Sequence, residues 1–90
     1  MTRAEAFALI DDFRTYYERF TEANGTGHWD CSNPDLLPAV KVANLAEACG
    51  DVAHEALVSD LPELRLALTR AAAVAVAWLE SLEKGGLSDE

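Results

Sequence analysis

A chain of 90 residues has room for one hydrophobic core and excludes a second domain of its own. Its 16 acidic against 7 basic side chains give a formal charge of −9, which disfavours direct contact with nucleic-acid backbones and anionic membranes. Half the residues are apolar but only 8% are aromatic, and alanine is abundant, which points to closely packed helices rather than a β-sandwich.

A free nucleotide stays open as a ligand, because a divalent cation can bridge its phosphates to carboxylates. Glu5, Asp11 and Asp12 interrupt any secretory apolar stretch, and the longest apolar run, Ala71 to Leu79, is too short to span a bilayer. A cytoplasmic location is therefore expected. Cys31 and Cys49 make no disulfide framework and are expected as free thiols.

The first segment predicts a helix over 3–23. Phe7, Ile10, Phe13, Tyr17 and Phe20 recur at three- and four-residue steps, the pattern of one buried face. Thr2 and Glu5 have the form of a capping box, and Asn24-Gly25 is a natural stop. A polar loop, GTGHWDCSNPD, follows.

The second helix is expected over about 35–57, capped by Ser32 or Asn33; Pro38 offers a later start, with a short 3₁₀ piece before it. Val42, Leu45, Cys49, Val52 and Ala56 form its apolar stripe, and Lys41, Asn44, Glu47, Asp51 and Glu55 lie on another side. Gly50 costs about 1 kcal/mol relative to alanine in a helix interior. It implies either close approach by a neighbouring element or a break capped by Asp51.

The third helix, 61–84, starts with Asp60 as cap, Pro62 in the first turn and Glu63 completing a box, and it stops at Gly85-Gly86. Residues 71–79 are apolar all round, so this helix calls for burial on every side, which a homodimer would supply. The expected organisation is one all-α unit over 1–84 with a flexible tail at 85–90.

Among chemistry-bearing residues, His28-x-x-Cys31 and Cys49-x4-His54 invite a zinc reading. Cys49 and His54 stand five helical steps of roughly 100° apart and so point away from each other, which disfavours it. Nothing near Cys31 and His28 supplies the positive surroundings that activate a thiol. Trp29 reads as a core or hinge aromatic ahead of a base-stacking platform. Glu47, Asp51 and Glu55 stack at four-residue spacing on one helix face. That spacing suits either Mg²⁺, which takes oxygen ligands, or a solvated acidic face.

Three blocks, HWDCSNPD, VANLAEACGDVAHEAL and ELRLALTRAAAVAVAWLESL, together resemble the MazG-like nucleoside triphosphate pyrophosphohydrolases, over residues 28–84. The resemblance implies an all-α fold assembled as dimers or tetramers. It also implies hydrolysis between the α- and β-phosphates with Mg²⁺ (or Mn²⁺) held by acidic blocks on two successive helices. Carried over, Glu47 and Asp51 become candidate catalytic and metal-binding residues, with Glu55 as an outer ligand and Glu63 as a further carboxylate. Arg70, Asn44 and Trp29 become candidate substrate-binding residues. The match is incomplete, because Ala48, Ala67 and Arg70 stand where the family pattern places ligands. An arginine there is expected to pair with Glu47 or Asp51 and oppose a divalent ion. The sequence thus predicts a MazG-like homodimer with weakened or lost hydrolase activity, binding a protein or nucleotide partner. The alternative is a divergent Mg²⁺-dependent (d)NTP pyrophosphohydrolase.

Overall fold

The computed structural model describes residues 1–58 and 61–85, and among them the chain is all-helical. Helix α1 spans Arg3–Ala23, a 3₁₀ turn covers Gly27–Trp29, α2 spans Pro38–Val58 and α3 spans Leu61–Glu83. The expectations for Asp60, Gly86 and the tail beyond it fall outside the described residues.

The start of α1 follows the capping logic. The Thr2 N–H donates to Glu5 Oε1 at 2.9 Å and the Glu5 N–H donates to Thr2 Oγ1 at 3.1 Å. The hydrogen bond from the Thr2 backbone, with that from its side chain, holds the Glu5 carboxyl below its ordinary pKa. At the other end, the Asn24 side chain donates to Phe20 O at 2.8 Å, and Gly25 takes φ +70°, which a side chain would oppose.

Helix α2 begins at Pro38 rather than 35. Asn33 is used earlier: its Oδ1 accepts from the Asp35 N–H at 3.0 Å and its carbonyl from the Leu36 N–H at 3.2 Å, closing a turn. Ser32 donates its own N–H to Asp30 Oδ1 at 2.9 Å, so neither residue caps α2. Leu37 precedes a proline and is disfavoured in the helical region, which leaves Pro38 as the first helical residue.

Helix α3 is the middle element. It packs against both α1 and α2, whereas no Cα atoms of α1 and α2 come within 8 Å of each other among the described residues. Small side chains allow the approach. Ala48 on α2 is fully buried, and Ala67, Ala73 and Ala77 are buried on α3.

Several sequence expectations about faces are overturned. The aromatic face of α1 is not core, since Phe7 is 63% and Phe20 51% exposed, while Arg14 and Thr21 are the buried residues of that helix. Cys49 and Val42, expected on an inward stripe, are exposed. Gly50 continues the helix, and a Cβ added there meets nothing within 4 Å, so it marks neither a break nor a close approach among the described residues. Within one chain residues 71–79 are enclosed only in part, with Leu79 at 63% exposure, which does not bear against the expected burial by a second copy.

Lys41 is buried on α2 together with Leu45 and Val52, the half-buried members of the expected stripe. It has no exposed surface, and its Nζ donates to Ser81 Oγ at 2.7 Å across the α2–α3 contact. Ser81 Oγ in turn donates to Trp78 O at 2.6 Å. A buried nitrogen held by one neutral side chain makes an asymmetric prediction. Ser81→Ala strands that nitrogen and should cost about 1–3 kcal/mol, a fall of roughly 4–8 °C in Tm for each kcal/mol. Lys41→Met should be neutral or stabilising, because nothing is left unpaired. Thermal unfolding followed by circular dichroism checks both.

Candidate functional site

Glu47 and Asp51 stand one turn apart on α2, and α3 brings Arg70 between them. Arg70 Nη1 donates to Asp51 Oδ2 at 2.6 Å and Nη2 to Glu47 Oε1 at 3.1 Å. The guanidinium fork thus spans two carboxylates instead of gripping one. Both acids are more than half exposed, so each pair adds at most about 0.2–1 kcal/mol. Its consequence is occupancy: the oxygens that would face a cation already face one.

The neighbouring positions add no metal-ligating side chain to this pair. Ala48 is sealed in the α2–α3 contact, where its size is what lets the helices meet. Ala67 is buried beside a cleft of about 370 Å³ that is also bordered by Asp51, Glu55, Glu63 and Arg70. Glu55 does not join the Arg70 pair; its Oε1 lies 3.2 Å from His54 Nδ1. Among the described residues, no three His, Cys, Asp or Glu side chains are grouped so as to hold a metal ion. Two carboxylates shared with a guanidinium are a poor donor set for Mg²⁺, which demands near-octahedral oxygen ligation.

Arg70 also borders a second recess, of about 120 Å³, and here Trp29, Asn44 and Arg70 come together. The recess lies where α1 and α2 fail to meet, over the short side chains of Ala73 and Ala77. Phe13 and Tyr17 form one wall, their rings nearly parallel at 7° with centroids 6.5 Å apart. Trp29, more than half exposed, stands at the rim with His28 tilted against it at 5.2 Å. It is therefore not a core residue. Asn44 donates through Nδ2 to Cys31 Sγ at 3.5 Å. Burial pushes the Cys31 thiol pKa up, and the Asn44 hydrogen bond offsets this only in part. A thiol in that setting is a weak nucleophile.

The residue that organises this recess was missed in the sequence. Arg14 is 6% exposed, and three carboxylates converge on it: Glu80 Oε2 accepts from Nε at 2.7 Å, Asp30 Oδ2 from Nη1 at 3.2 Å and Glu18 Oε2 from Nη2 at 3.3 Å. Burial opposes the guanidinium charge, but the Glu80 hydrogen bond and the fields of Asp30, Glu80 and Glu18 outweigh it, and the pKa is raised. The available signal was a charged residue set among Ile10, Phe13 and Tyr17 on an otherwise apolar face.

Arg14→Ala should cost about 3–5 kcal/mol, because it leaves the buried Asp30 carboxylate unpaired. Arg14→Lys should recover only part of that loss, since an ammonium lacks the fork that reaches three partners. Urea unfolding of the three proteins measures the difference. Compared with protein-family models, with curated protein sequences and with solved structures, the chain matches none.

Proposed function

We propose that the chain is a MazG-like helical scaffold whose nucleoside triphosphate pyrophosphohydrolase activity is weakened or lost. In this reading it works in the cytoplasm as a homodimeric binding or regulatory module with a nucleotide or protein partner. The observation that carries the reading is the Arg70 bridge to Asp51 and Glu47 at 2.6 and 3.1 Å, with alanines at 48 and 67 where donors are needed. A cation built into the chain neutralises the acidic face without providing the open coordination positions that a hydrolytic metal uses to activate water.

Large apolar side chains left in water favour self-association, Phe7, Leu68 and Leu79 among them. No helix among the described residues is long and apolar enough to cross a membrane. The charge of −9 disfavours nucleic acid as a partner.

The alternative is a divergent Mg²⁺- or Mn²⁺-dependent enzyme. It is favoured by Asp51, Glu55 and Glu63 bordering one cleft. An assay of pyrophosphate release from a (d)NTP panel, with each metal, separates the two. The expected result is no release above the metal-only blank, for the native chain and for Glu47→Ala alike. Rapid release that Glu47→Ala abolishes overturns the proposal.

A further inference from the structure

We draw no further inference here: the strongest candidate, the apolar outer face of α3 that leaves Leu61, Leu68, Leu79 and Leu82 in water, has nothing in the structure to show what covers it, and its burial by a second copy restates an assembly established for the family that the chain resembles.

Discussion

Arg14 leaves α1 with its guanidinium almost out of water, and the geometry around it depends on what the chain supplies to meet it. Glu80 comes from α3, Asp30 from the segment after the 3₁₀ turn and Glu18 from the next turn of α1 itself. One side chain thereby joins the outer helix to the middle one and pins the loop that carries Trp29. Apolar packing contributes little at this contact. Among the described residues the buried hydrophobic ones are four alanines, Cys31 and Leu36, and an alanine removes little surface from water. Where side chains are small, helices approach closely but gain little, so orientation falls to a directional, charge-assisted interaction.

The same chemistry carries a different weight in the other arginine. Arg70 is a third exposed and its acids more than half, so water and salt screen that bridge. Arg14 sits where screening is weak, and its loss strands a buried carboxylate. The two guanidiniums therefore divide the work. Arg14 fixes where α1 and the loop lie, and Arg70 decides what the acidic face of α2 meets. Both border the recess, which exists because α1 and α2 are held apart over the alanines of α3.

Much of this was legible in the sequence where local chemistry dictates it. The Thr2–Glu5 box and the Asn24-Gly25 stop mark helix limits because each satisfies backbone groups within a few residues, and Pro62 suits the first turn of α3 because it has no N–H to leave unpaired. The approach of Arg70 to Glu47 and Asp51 was readable only through the resemblance, which sets Arg70 opposite them on the next helix; helical spacing alone puts Glu47 and Asp51 on one face. Which face turns inward was not. Periodicity marks Phe7, Tyr17 and Phe20 as one stripe, but it does not say whether that stripe meets this chain or water. Here the inner faces carry alanines and long cations instead. Lys41 was grouped with the acidic side of α2, yet it lies at the α2–α3 contact because Ser81, forty residues away, offers its oxygen. Partners so distant leave no spacing signal. Ala48 was readable as a missing ligand but not as the spacer that lets α2 meet α3.

The central claim is that a guanidinium stands where a divalent ion would be needed. Calorimetric titration of the native chain and of Arg70→Ala with Mg²⁺ tests it most directly. The native chain should give no saturable heat, and Arg70→Ala, which frees Glu47 and Asp51, should bind weakly at best because Ala48 and Ala67 add no ligand. Saturable Mg²⁺ binding by the native chain that Asp51→Asn removes would contradict the account.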